Sequence, residues 1–230
     1  MSRKETNLKG VIAVSKGLFN LVPLKTHKDF PFLTSHPFSN STVSMVGDKL
    51  LDLTKEEDFQ LWKTHIFSLL DEETRIEFIR MMINKPYLLL WFKLIKSELS
   101  EKDYAELLRN VWTSQENPNR DINVTKKECV EMFKKANKNH LMSKEEQDTL
   151  NALDNEVVVY RGILDKSAYN GLSWTLDREK AEWFAHRYNL DEGKVLKAVV
   201  KKTDIMALFM EEGEQEVIVN IPLSQIEEID

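Results

Sequence analysis

The apolar residues of this chain change their spacing once, and that change limits what it can fold into. Over residues 54–153 they recur at helical intervals: Phe59, Trp62, Ile66 and Leu69, then Ile76, Ile79 and Ile83, then Tyr104, Leu107, Leu108 and Val111. Side chains three and four apart share one face of a helix. Between these runs, residues 87–96 are apolar almost all round, the pattern of a helix buried on every side. From Glu156 the pattern becomes a β-branched run, Val157-Val158-Val159-Tyr160-Arg161, so a sheet begins there. Helices followed by strands predict an α+β protein.

Local signals mark where the elements start. Thr54-x-x-Glu57, Thr125-x-x-Glu128 and Ser143-x-x-Glu146 are capping boxes, in which side chains satisfy the free amides of a first turn. Ser100-x-x-Asp103 opens another helix, and Asp177 is a good N-cap for a helix over residues 177–188 carrying Ala181, Phe184 and Tyr188. Strands are predicted over residues 171–175, 194–201, 204–209 and 216–221, with a turn at residues 210–213. The helices of residues 126–153 are expected to pack on the sheet. That puts a boundary near Glu116, between a helical N-terminal region of residues 1–116 and a second domain of residues 117–230. Residues 1–52 are the least readable. Six Lys or Arg stand against the single acid Glu5 between residues 2 and 28, which reads as a solvated arm. Pro31, Pro37 and the Ser/Thr cluster of residues 39–44 read as turns.

Composition removes several function classes. Of 230 residues, 42% are hydrophobic and 30% charged, as in a globular protein. The formal charge of −6 argues against non-specific nucleic-acid binding as the main activity. A single cysteine, Cys129, rules out an internal disulfide framework and gives no metal-site pattern; it reads as a half-buried core thiol. The apolar run of residues 11–14 is too short for a signal peptide, and residues 86–95, interrupted by Lys93, are too short for a membrane span. The chain is therefore expected in the cytoplasm of the cell that makes it.

Three short pieces carry the chemistry. Arg161 ends a strand run, where a guanidinium can grip a phosphate with two parallel hydrogen bonds. Ser173, in Ser173-Trp174-Thr175, supplies a hydroxyl that can fix a carboxylate. Glu214 and Glu216 stand two apart at the head of an apolar run and so reach one face of a strand. From residue 203 onward there are eight acids and no Lys or Arg, so Glu211, Glu212, Glu214 and Glu216 crowd together. Such crowding raises at least one pKa and is a cost without structural reward. A phosphate grip beside paired carboxylates suits a nucleotide whose glycosidic bond is broken, because carboxylates stabilise an oxocarbenium-like transition state.

In order and spacing these pieces resemble the arginine–serine–glutamate class of mono-ADP-ribosyltransferases, over about the last third of the chain. In that family an arginine on the first core strand precedes a serine-threonine-serine-like segment, a helix and a glutamate-x-glutamate segment. Arg161, Ser173 with Thr175, the helix containing Ala181 and Ala185, and Glu214 with Glu216 occupy the matching positions. Trp174 departs from the pattern, standing where the family has a small polar residue. The resemblance implies a split β-sandwich with flanking helices and NAD as donor substrate, with no metal, since the nicotinamide ring is already cationic in NAD before it leaves. Arg161 would hold the phosphates, with Tyr160 and Gly162 beside it in the cofactor-binding set. Ser173 would aim Glu216, with Thr175 supporting the strand. Glu216 would act on the nicotinamide ribose. Glu214 would orient or deprotonate the acceptor, a protein side chain, with arginine favoured. Trp174 would stack near the nicotinamide or belong to the core. The style is also similar to domains encoded by phages and prophages.

Two other readings stay open at this stage. One keeps the chemistry and makes nucleic acid the acceptor, on the strength of the basic leader and Lys201-Lys202. The other is a non-catalytic NAD- or protein-binding module of phage origin.

Overall fold

The computed structural model describes residues 4–187 and 193–229. They form two compact units, Met1–Tyr104 and Ala105–Asp230. The division falls inside a helix and ahead of the boundary expected near Glu116. Tyr188, expected in a helix, lies outside the described residues, as do Arg3 of the basic leader and the side chain of Glu212. Among the described residues no helix is long and apolar enough to cross a membrane.

The N-terminal unit is not purely helical. It begins with α1 (Leu8–Leu21), which buries Val11, Ser15, Leu18 and Phe19 on one face. The basic leader is thus largely a packed helix rather than a solvated arm: its lysines lie off the buried face, and Lys16 pairs with Asp71 at 2.5 Å. Ser15 is satisfied by donating to the Val11 carbonyl and accepting from the Trp91 indole, each at 2.8 Å. Strands β1 (Lys25–Thr26), β2 (Leu33–His36) and β3 (Ser39–Ser41) form one small antiparallel sheet. A hairpin of β4 (Val43–Val46) and β5 (Lys49–Asp52) forms another. Residues 39–44, expected as turns, are therefore mostly strand. Their serines do make local turn-like bonds, the Ser39 hydroxyl donating to the Ser41 carbonyl and accepting from the Ser41 amide, while the backbone also pairs across a short ladder.

Four helices follow: α2 (Glu56–Glu72), α3 (Ile76–Met82), α4 (Leu88–Ile95) and α5 (Glu101–Thr113), the last crossing the division. Helix α4 buries Leu88, Leu89, Trp91, Phe92 and Ile95 but leaves Leu94 36% exposed, so it is buried on most sides rather than all round as expected. Ser100 caps α5 by accepting from the Asp103 amide. The box expected at Thr54 does not form. Asp52 draws the Thr54 amide and hydroxyl to itself, and the helix starts after Lys55 with no side-chain cap.

His36 is fully buried among Phe19, Phe38 and Trp62. Its Nε2 faces the Phe19 carbonyl and its Nδ1 accepts from the Phe38 amide, which fits the neutral ring. Burial lowers its pKa from 6.5 to about 4, against a smaller opposing pull from the Phe19 carbonyl. A depressed pKa contributes stability that is full above the unfolded value and is lost as pH falls through the folded one. Melts followed by circular dichroism should show a loss of about 3 kcal/mol as pH falls from neutrality to the folded pKa. His36→Gln should remove that part of the slope, and an unchanged slope would contradict the assignment.

The C-terminal unit holds the end of α5, then α6 (Lys126–Lys135), α7 (Lys138–Leu141) and α8 (Lys144–Ala152). The capping boxes at Thr125 and Ser143 are both formed. The chain continues through β6 (Glu156–Ile163), β7 (Ser173–Thr175), α9 (Arg178–His186) and β8 (Lys194–Lys201). It ends in β9 (Ala207–Phe209), β10 (Glu216–Ile218) and β11 (Glu227–Ile229). These strands make one six-stranded antiparallel sheet in the order β11-β8-β6-β7-β10-β9. β6 pairs with β8 along its whole length, from Glu156–Lys201 to Ile163–Lys194. It joins β7 through the single pair Tyr160–Thr175. The sheet is thus two ladders meeting at one residue pair, on a mixed α+β architecture.

Helix α9 closes on β6 at Gly162. A Cβ there would lie 2.0 Å from the Ala181 carbonyl and 2.6 Å from the Ala185 amide, so only glycine permits this approach. Residues 202–204, in part expected as strand, form a 3₁₀ turn, and β9 is shorter and wholly buried. Strand β11 was not anticipated, because two of its three residues are acidic and exposed. It is held by pairing with β8 and by the Lys194–Glu228 ion pair.

Candidate functional site

The antiparallel register brings the serine and glutamate segments together. Ser173 pairs with Ile218 and Thr175 with Glu216, so Ser173 and Glu216 are diagonal neighbours on one face. Arg161 reaches this junction from β6. Its guanidinium donates to the Ala168 carbonyl at 3.2 Å and to the Ser173 carbonyl. Gly171 makes room for it: a Cβ at Gly171 would sit 2.3 Å from the Arg161 guanidinium carbon. Arg161 lies within charge range of Glu216, and the Ser173 hydroxyl, diagonal to Glu216 on the same face, stands where it can reach the carboxylate. The three residues that the sequence singled out, from three separate strands, therefore share one site.

Their surroundings strain both charges. Burial pushes the Arg161 pKa down to about 10; Glu216 opposes the shift and the nearby Arg120 adds to it. Lys126 is lowered by burial and then by the charge of Arg161. Arg120 and Lys126 thus each press on Arg161, although Arg120 also pairs with Asp165 at 2.8 Å and Lys126 donates to Asn170 at 2.7 Å. Burial raises the Glu216 pKa. Hydrogen bonds from Ser173 and Trp112 lower it, Glu214 raises it, and Arg161 lowers it, with a net upward result. A carboxyl raised in the fold contributes stability that is full below its ordinary pKa and lost as pH rises through the folded value. Glu216→Gln should therefore melt above wild type at neutral pH, with the gap closing as the solution is acidified. A variant less stable than wild type at neutral pH would contradict this environment for Glu216.

Other members of the expected set serve the fold instead. Tyr160 packs on Ala181, Ala185 and Val195 under α9, and Gly162 is the close approach to that helix. Trp174 is 2% exposed and its indole donates to the Gly171 carbonyl, so it is core and offers no ligand face. Thr175 is buried and accepts from the Asp177 amide, which is turn chemistry at the start of α9. Asp177 caps α9 as predicted. Glu214 is partly exposed, within charge range of Glu216, and 3.5 Å from Lys180.

No family model, curated protein or solved structure matches the chain. The site therefore stands on its own geometry. That geometry includes residues the sequence reading passed over. Trp112 of α5 donates its indole N–H to Glu216 at 3.1 Å. Asn119 donates to the Ser173 hydroxyl oxygen at 2.8 Å and accepts from the Leu172 amide at 2.6 Å. Trp112 sits beside Val111 in a helix with a strong apolar face, and its ring does pack on Phe133. Asn119 sits in Asn117-Pro118-Asn119-Arg120, an ordinary turn signal. Neither position carried a mark that separated this role from the commoner one.

Proposed function

We propose that the C-terminal unit is an ADP-ribosyltransferase-like split β-sandwich with flanking helices. It cleaves NAD at the nicotinamide–ribose bond and transfers ADP-ribose to a protein side chain, with arginine favoured. The observation that carries this reading is the convergence of Arg161, Ser173 and Glu216 at the junction of the two ladders. Like-charge crowding of Arg161, Arg120 and Lys126 supports an anion there, because a phosphate would relieve the repulsion.

In this reading Arg161 holds the diphosphate and fixes the nicotinamide half beside Glu216. The C1′–N bond breaks with its electron pair going to the ring nitrogen, so nicotinamide leaves neutral and positive charge builds on the ribose. The Glu216 carboxylate stabilises that charge, and the cationic substrate favours its ionised form despite burial. The acceptor nitrogen bonds C1′ on the face opposite the departing nicotinamide and gives its proton to Glu214 or water. Glu214 already holds the Lys180 ammonium, and a guanidinium, with its planar bidentate geometry, can replace it.

The test is to incubate the purified chain with cell lysate and NAD labelled in its adenylate half. Label in protein with wild type and none with Glu216→Gln is the expected result. Label in nucleic acid alone would change the acceptor class, and no transfer together with no nicotinamide release would overturn the proposal.

A further inference from the structure

The Ser173 hydroxyl has a single proton, and its aim matters if it is to hold Glu216. The orientation of the Asn119 amide is fixed by its neighbours. Its Oδ1 must face the Leu172 N–H, which can only donate, at 2.6 Å. Its Nδ2 therefore faces the Ser173 Oγ at 2.8 Å and donates to it. A hydroxyl that receives a hydrogen bond from one side has its own proton free for an acceptor on the other. The acceptor available is Glu216, diagonal to Ser173 on the same face. Trp112 fixes the same carboxylate with a second donor that cannot reverse, since an indole N–H accepts nothing.

We infer that Asn119 is a positioning residue that acts through Ser173, turning the serine hydroxyl into a committed donor to Glu216. Together with Trp112 it locks the carboxylate in one orientation. Both residues precede the sheet, so the site is completed by the end of α5 and the 3₁₀ turn Pro118–Arg120. A fragment beginning after Trp112 lacks one of the donors to Glu216. The inference deepens the proposed function, because an aimed carboxylate is what a developing ribosyl cation needs. Its structural content, however, does not depend on NAD.

A coupling measurement separates this role from a merely structural one. The charged groups facing Glu216 are Arg161 from β6 and Glu214 from the segment before β10, and neither is altered in it. The side-chain carboxyl carbon of Glu216 is followed by NMR in glutamate-labelled protein, assigned with Glu216→Gln, in wild type, Asn119→Ala, Ser173→Ala and the double variant. Asn119→Ala should move the Glu216 midpoint up by about one pH unit, the weight of a hydrogen bond to a charged group. In the Ser173→Ala background the same change should move it no further. An equal shift in both backgrounds, or none in either, overturns the inference. If Asn119→Ala fails to fold, Asn119→Asp serves in its place. It keeps an acceptor for Leu172 but presents a second acceptor to Ser173, which draws the hydroxyl away from Glu216. The Ser173→Ala background then isolates the effect of the added charge. An unshifted acidic limb of nicotinamide release beside a shifted Glu216 titration would count against the catalytic reading alone.

Discussion

Glu146→Ala is expected to cost about 3–5 kcal/mol of the stability of the C-terminal unit, the range for breaking one side of a buried ion pair. The Glu146 side chain is 3% exposed. It takes two bonds from the Arg109 guanidinium, at 2.6 and 2.7 Å, and accepts from the backbone amides of Ser143 and Met210. Truncation would leave four donors facing a void, with Arg109 only partly able to turn to solvent. Burial raises the Glu146 pKa, but hydrogen bonds from Arg109 and the two amides outweigh it and hold the group below the ordinary carboxylate value. Its stabilisation is therefore present above that value and lost as the solution becomes acid enough to protonate the folded state. Urea melts of wild type and variant at neutral pH measure the difference. A loss under about 1 kcal/mol, as for an exposed pair, would contradict the assigned role. The effect also reaches the site. Arg109 holds Glu211 at 2.9 Å, and Met210 and Glu211 open the segment that carries Glu214 into β10. Loosening the anchor should lower turnover even in molecules that remain folded.

Glu216→Gln and Arg161→Lys should fail in different ways. Removing the carboxylate charge takes away stabilisation that matters only as the ribosyl cation forms. Nicotinamide release should fall by roughly 10²–10³-fold in kcat, the scale of losing one preorganised electrostatic group, with KM close to wild type. Arg161→Lys keeps a positive charge but loses the fork that spans the Ala168 and Ser173 carbonyls while facing a phosphate. Its main effect should be a rise in KM of roughly 10–100-fold, from about 1.5–3 kcal/mol of charged hydrogen bonding. The reverse split, with KM moved by Glu216→Gln and kcat alone by Arg161→Lys, would exchange the two roles.

Strong local signals carried most of what was legible. The run into Arg161 became β6, Lys194–Lys201 became β8 with the predicted ends, and the boxes at Thr125 and Ser143 formed as read. The signal failed where elements are short or rely on tertiary partners. Ser39–Ser41 and Glu227–Ile229 have no apolar alternation, and only their ladders make them strands. At the site, Arg161, Ser173 and Glu216 were legible because their order and spacing carry the pattern. Tyr160, Gly162 and Trp174 stand next to those residues along the chain, and Thr175 matches the family's serine segment. Trp174 is adjacent to Ser173 and so faces the other way, into the core; Tyr160 and Gly162 pack under α9; Thr175 shares the face of Ser173, but its hydroxyl is taken by the Asp177 amide. Asn119 and Trp112 were illegible for the converse reason, since their contacts with Ser173 and Glu216 arise only on folding.

The most direct measurement is a crystal structure of the Glu216→Gln variant soaked with NAD, since slow turnover should leave the dinucleotide whole. The predicted result has a phosphate on the Arg161 guanidinium and the nicotinamide ribose hydroxyls against position 216, at the junction of β6, β7 and β10. NAD bound elsewhere on the chain, or no NAD at a concentration that saturates wild-type turnover, would contradict the account.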